Sequence, residues 1–324
     1  MGKTNYSNCP NLALIANDIH GLKDRQDAFF QALAIYRDSI EYIILNGDIC
    51  GGPIVGELQN LFYELKNRSK EPTSPDNYLA ITKAFETLES FLLNLTPDNQ
   101  LNLGTFNNDS NRETICRCYH FGVFLSWICK QNPTLRPVFE EDIISSISAF
   151  IAELKQIVHP RVPKIILNTG NWEEATPLDL DPTDLTVETK IPYEQRLSRK
   201  IWGICVNSDI VFNEGIIIID DTAIIGARAI IDAGKDRVSL GDLPQVSQVV
   251  AHFPCDYSPF PGYEDSLTAA GTCQWLEALG ATTLLHGHIH LDECKCKTYT
   301  LPSLTSGDII THMVGLKGYA FVRL

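Results

Sequence analysis

LALIANDIHG, residues 12–21, is an apolar run that breaks off into a polar cluster, and the same construction returns in YIILNGD, residues 42–48. Short apolar runs bounded by Asn, Asp and Gly read as buried strands that carry their polar groups at the C-terminal tip. Between the two runs Ala28, Phe29, Ala32, Leu33 and Tyr36 follow helical spacing, with Asp24 placed to cap the helix. Strand, helix and strand over this length predict a right-handed parallel crossover, and with it an α/β fold.

The construction recurs along the chain. KIIL leads to Asn168, Thr169, Gly170 and Asn171; QVSQVVA leads to His252; TTLL leads to His286, Gly287, His288, Ile289 and His290. Strand tips of an α/β sheet share one edge, so these segments can converge on a single crevice. The chain has 8 histidines, and His20, His252, His288 and His290 all fall in the tips. A lone Asp after a strand is ordinarily a turn former and a lone His there a rim residue; the ordered set is what carries the signal.

Elsewhere GIIIID and TAIIGAR, joined at Asp220 and Asp221, read as antiparallel strands. A helix is expected near 267–279 and terminal strands near 308–312 and 318–323. From about 53 to 163 the period changes: Leu88, Phe91, Leu92 and Leu95, and then Ile143, Ile147, Phe150, Ile151, Leu154 and Val158, mark an insertion of three or four helices.

Composition bounds the partners. With 324 residues and 44% hydrophobic content the chain can bury a large core. Its 26 Lys and Arg against 40 Asp and Glu give a net charge of -14, which repels polyanions, so no long nucleic acid is expected and a nuclease is disfavoured. MGKTNYSNCPN lacks an apolar leader core, and no later stretch approaches the roughly 18 apolar residues of a membrane span. Gly2 is followed by Tyr6 where a myristoylation signal needs Ser or Thr. A soluble cytoplasmic protein is expected, with its 10 cysteines as reduced thiols; Cys116 with Cys118 and Cys294 with Cys296 lack zinc-knuckle spacing.

Imidazoles, carboxylates and an amide without thiolates suit two neighbouring divalent ions, Mn or Fe ahead of Zn, rather than a closed structural zinc site. One carboxylate, such as Asp48, can bridge two ions about 3.5 to 4 Å apart, and a water between them is acidified into a hydroxide nucleophile.

DIHG at 18–21, GDICGG at 47–52, GNWE at 170–173, AHFP at 251–254 and GHIH at 287–290 occur in an order that resembles the calcineurin-like metallophosphoesterase superfamily. The likeness spans about 12–52 and 164–292. It implies a four-layer sandwich of two mixed β-sheets flanked by helices, interrupted here by the helical insertion. It also implies that Asp18, His20 and His290 hold one metal, that Asn171, His252 and His288 hold the other, and that Asp48 bridges. Asp48, Asn171 and His252 then count as catalytic, in hydrolysis of a small phosphomonoester, phosphodiester or nucleotide-type substrate. Glu173 is expected to orient its neighbours, and His286 to be a buried hydrogen-bonding residue rather than a ligand.

Two departures stand out. Trp172 occupies the place where much of the family has a His that protonates the leaving group, help worth roughly 100 to 10,000-fold in rate. Either Trp172 packs or stacks on a substrate with a good leaving group, or His120, His159 or Cys50 substitutes. Gly51 and Gly52 stand where protein Ser/Thr phosphatases have an acidic residue and Arg, which argues against that class. The glycines can bring backbone N–H groups to a phosphate ahead of Pro53, or form a purely structural turn. The insertion is expected to act as a cap over the substrate, the other reading being a packing module. The alternative function is a non-catalytic metal- or protein-binding scaffold with Trp172 marking lost chemistry; the intact ligand set favours the enzyme.

Overall fold

The apolar runs become strands because both faces of each are covered, which is why they read as continuous rather than alternating hydrophobic sequence. In chain order the elements are β1 (Leu12–Ala16), α1 (Lys23–Tyr36), β2 (Tyr42–Asn46), α2 (Pro53–Ser69), α3 (Pro75–Leu95), α4 (Phe121–Gln131) and α5 (Leu135–Val158). They continue with β3 (Lys164–Asn168), α6 (Asn171–Glu174), α7 (Leu197–Asn207), β4 (Val211–Asn213), β5 (Ile216–Ile219), β6 (Thr222–Ile225), α8 (Ala227–Gly234) and β7 (Gln248–Ala251). The last are α9 (Ser266–Leu279), β8 (Thr283–His286), β9 (Lys295–Thr300), β10 (Asp308–Met313) and β11 (Ala320–Arg323). The computed structural model describes residues 12–49, 51–69, 75–96, 113, 115, 118, 121–161, 163–174, 177–179, 195–241, 243–255, 266–288, 295–300, 308–314 and 319–324.

The protein is α/β, with two mixed sheets and helices outside them. A 5-stranded sheet has the order β11-β1-β2-β3-β4, and a 6-stranded sheet the order β5-β6-β7-β8-β10-β9. β1 to β4 run parallel, with β11 antiparallel at the edge. In the second sheet β6, β7, β8 and β10 are parallel, closed by β5 and β9 running the other way. Ala13, Ile15, Tyr42, Ile44 and Ile166 of the first sheet meet Ile224, Val250 and Leu285 of the second in one buried layer. The other face of the second sheet packs under α8 and α9 through Ile230, Trp275, Leu276 and Leu279. Phe29 and Phe30 of α1 stack on Phe150 of α5.

The chain falls into two compact units: residues 1–50, 148–174 and 201–324, which hold the sheets, and residues 51–147 and 175–200, whose described elements are helices. In the helical unit the Phe62 and Phe124 rings stack at 4.6 Å. Arg136 ties Glu140 to Asp179 at 2.8 and 3.0 Å, and Lys200 reaches the second oxygen of Glu140 at 2.8 Å.

Some expectations shift. Asp24 lies inside the first turn of α1, whose N-cap is Leu22 with no side-chain bond. TAIIGAR is strand only to Ile225; Gly226 turns the chain and Ala227 opens α8. The tips singled out in the sequence belong to two sheets rather than one edge: β1, β2 and β3 in the first, β7 and β8 in the second.

Candidate metal centre

At the strand ends the backbone takes a conformation that side chains disfavour. Asp18, His20, Asp48 and His288 have φ of 51°, 51°, 52° and 69°. Left-handed backbone costs an L-residue roughly 1–2 kcal/mol, and such strain gathers where surrounding structure imposes it for function. Here the imposing contacts are visible. Asp18 N–H donates to Gly47 O at 3.0 Å and His20 N–H to Asp48 O at 2.9 Å, so the β1 and β2 tips hold each other. Arg25 of α1 donates to Asp18 O at 2.7 Å, and His288 N–H donates to Asp18 Oδ2 at 2.8 Å.

Glu173, fully buried in α6, fixes the β2 and β3 tips together. Its Oε2 accepts from Asp48 N–H and Gly170 N–H, both at 2.8 Å, and its Oε1 from Ile49 N–H at 2.9 Å. The Trp172 N–H donates to Asp48 Oδ1 at 2.9 Å. This leaves Asp48 Oδ2 pointing at imidazoles: 3.4 Å from His252 Nε2 and 3.8 Å from His20 Nε2. The close approach needs glycine on both sides. A Cβ on Gly170 would sit 2.5 Å from Asp48 Oδ1, and one on Gly47, whose φ is +85°, would sit 2.5 Å from His252 Nδ1.

Two overlapping triads result. Potential ligand atoms of Asp18, His20 and Asp48 lie within 4.8 Å of one another, as do those of Asp48, His252 and His288, with Asp48 common to both. Asn171 joins the second group, its Oδ1 being 3.1 Å from His252 Nε2, and His288 Nδ1 is also 3.1 Å from that nitrogen. His252 Nδ1 faces Asn46 O at 3.1 Å; a carbonyl only accepts, so Nδ1 carries a proton and Nε2 is the nitrogen turned into the cluster.

The donor chemistry fits divalent ions: buried carboxylate oxygens and imidazole nitrogens converge, and these Asp and His clusters can hold metal. Electrostatics agree. Burial disfavours a charged ring at His252, yet the Asp48 carboxylate outweighs it and raises the pKa to about 9; burial would raise Asp48 too, but His252 and His20 hold it below the usual carboxylate value. The cluster thus favours a positive charge at its centre, the part that a bound cation would supply.

His286 stands apart. It is the last residue of β8, its Nδ1–H donates to Gly287 O at 2.9 Å, and burial drives its pKa down to about 4. Trp172, 5% exposed, sets its ring edge-on to His20 at 5.2 Å between centroids. His159 follows α5 and precedes the start of β3, so the length of that strand, about 3.3 Å per residue, separates it from the tips. It is not placed to serve as the proton donor. Gly51 and Gly52 belong to the helical unit, where a Cβ on Gly52 would strike the carboxylate of Asp142. His290, His120 and Cys50 lie outside the described residues.

Sequence reasoning missed Asn213 and Arg25. β4, only VFN, is too short for periodicity to show, yet it ends in Asn as YIILN and KIILN do. That shared ending was the available signal.

No family model matches the chain, and no curated protein matches it. Among solved structures, one aligns over 97% of this chain and 95% of its own at 10% identity, with a TM-score of 0.43, a likeness too loose to carry an argument.

Proposed function

We propose that the protein is a dinuclear metal-dependent phosphoesterase acting on a small phosphorylated molecule, a monoester, diester or nucleotide. The observation that carries this is the pair of triads sharing Asp48, buried except at His288 and built on four left-handed ligand residues. Asp18, His20 and Asp48 would hold one divalent ion, Mn or Fe ahead of Zn, and Asp48, Asn171, His252 and His288 the other. When bound, such ions polarise a phosphoryl group and lower the pKa of water, worth several kcal/mol of transition-state stabilisation.

The chain's own residues prepare that chemistry. Asp48 is pinned through Oδ1 by the Trp172 N–H, so Oδ2 is the atom that faces both halves of the cluster. Asn46 O holds His252 in the tautomer that offers Nε2. Trp172 packs against His20 and offers no imidazole to a leaving group. Substrates whose leaving group needs no proton, such as phosphoanhydrides or nitrophenyl esters, are then the best turned over.

The test is metal analysis of the purified protein followed by assays on nitrophenyl monoesters, diesters and nucleotides, with and without Mn. Activity that follows metal content and disappears in folded Asp48→Asn and His252→Ala supports the enzyme. Metal-loaded protein without turnover across the panel supports the scaffold reading instead.

A further inference from the structure

The strand tips of the first sheet end in a row of buried amides. Asn46, Asn168 and Asn213 are the last residues of β2, β3 and β4 and stand in register as direct cross-strand partners. Asn213 Nδ2 donates to Asn168 Oδ1 at 2.8 Å, and Asn168 Nδ2 donates to Asn46 Oδ1 at 2.7 Å. The same nitrogens also reach the other sheet: Asn213 to Ile224 O at 3.1 Å, Asn168 to Ile225 O at 3.0 Å and Asn46 to Ala251 O at 2.8 Å. None of the three is more than 5% exposed.

Polar groups are an expensive way to fill the space between sheets, which elsewhere in this layer is apolar. Apolar contact is non-directional, so it fixes the spacing of two sheets better than their slide. Slide is what the cluster cannot tolerate. Asp18, His20, Asp48 and Asn171 follow strands of the first sheet, while His252 and His288 follow strands of the second. The ladder runs beside ligands at Ala251, which precedes His252, at Asn46, two residues before Asp48, and at Asn168, three before Asn171. Contacts of 3.1 Å from His252 Nε2 to Asn171 and His288 leave little room for displacement.

We infer that Asn46, Asn168 and Asn213 are positioning residues, a directional amide ladder that locks the two sheets so that their halves of the metal centre meet. The carbonyl of Asn46 adds a second tie, since it receives the His252 Nδ1–H while the side chain holds the residue before it. This rests on the metal-centre reading above.

The experiment compares the parent with Asn168→Leu and with Asn168→Leu combined with Asn213→Leu. The double variant removes adjacent partners together, so that fewer amide groups are left unpaired. Folding is followed by urea denaturation in chelator, Mn binding by calorimetry, and the Mn pair by electron paramagnetic resonance. The ladder predicts variants that fold in chelator but bind Mn at least about 10-fold more weakly, with the coupled-pair spectrum replaced by that of isolated ions. Parent-like affinity and spectrum in folded variants overturn it. If neither variant folds, the amides serve the scaffold and the positioning role is likewise overturned. A parent that binds no Mn fails the metal-centre reading itself, and the ladder's role falls with it.

Discussion

Asp48 and Phe62 are almost wholly buried, at 1% and 0% exposure, but their surroundings differ in kind. Asp48 sits on strained backbone among hydrogen bonds and charges drawn from separate strand tips. Phe62 lies in regular helix, stacked on Phe124 and close to Phe121. Directional bonds make the first region intolerant of displacement, whereas the second depends on volume. Substitutions should therefore separate the two by what they damage as well as by how much.

The largest effect is expected at Glu173. Its carboxylate accepts the N–H groups of Asp48, Ile49 and Gly170, and Glu173→Ala would orphan all of them in a buried pocket. At about 1–3 kcal/mol per orphaned donor the loss is on the order of 5 kcal/mol, with Mn binding abolished because Asp48 is no longer held. Denaturation in chelator and Mn calorimetry measure both; parent-like values in this variant would erase the distinction between the regions.

Phe62→Ala comes next, at about 3–5 kcal/mol by the usual scale for a buried aromatic. Here the folded fraction should bind Mn with parent affinity. A drop in affinity would mean that packing in the helical unit reaches the cluster.

What was legible in the sequence follows the same division. The tips of β1, β2, β3, β7 and β8 announced themselves because Asp, Asn and His after an apolar run are rare enough to be read as an ordered set. Helical periodicity found α3 and α5, since burial there repeats every turn. The amide ladder stayed hidden because Asn213 ends a three-residue strand, and because the donation of Asn46 and Asn168 to another sheet is a tertiary fact with no local pattern. Asp142 escaped for a similar reason: it lies far along the chain from the helix whose N-terminus it meets.

Acid should weaken the regions in turn. Burial lowers the His286 pKa to about 4, whereas the unfolded chain titrates near 6.5. Above 6.5 the ring is neutral in both states; as pH falls from 6.5 toward 4 only the unfolded chain takes the proton, and stability declines by up to about 3 kcal/mol. Glu140 acts lower. Burial would raise its pKa, but Lys200 and Arg136 hold it below 4.5, so its contribution is present above that value and is lost as pH falls through the lowered one. Urea denaturation in chelator across pH should show a flatter decline between pH 6.5 and 4.5 for His286→Asn, and no change in that window for Glu140→Gln.

The smallest effect tests a resemblance between the regions. The N-terminus of α2, behind Gly51 and Gly52, has the form of an anion site, but the chain fills it with its own carboxylate: Val55 N–H donates to Asp142 Oδ2 at 2.9 Å. Burial raises the Asp142 pKa against the pull of the Val55 and Ile54 N–H groups, so the carboxylate is held there at some cost. Gly52 is then required because Asp142 comes so close, a packing reason that needs no phosphate. Asp142→Ala should cost about 0.5–2 kcal/mol, the usual loss for a missing helix cap. Inorganic phosphate should stabilise this variant more than the parent, because the freed N–H groups suit an anion. Equal stabilisation of both proteins would mean that the helix end is no anion site even when empty, and that the glycines serve the turn alone.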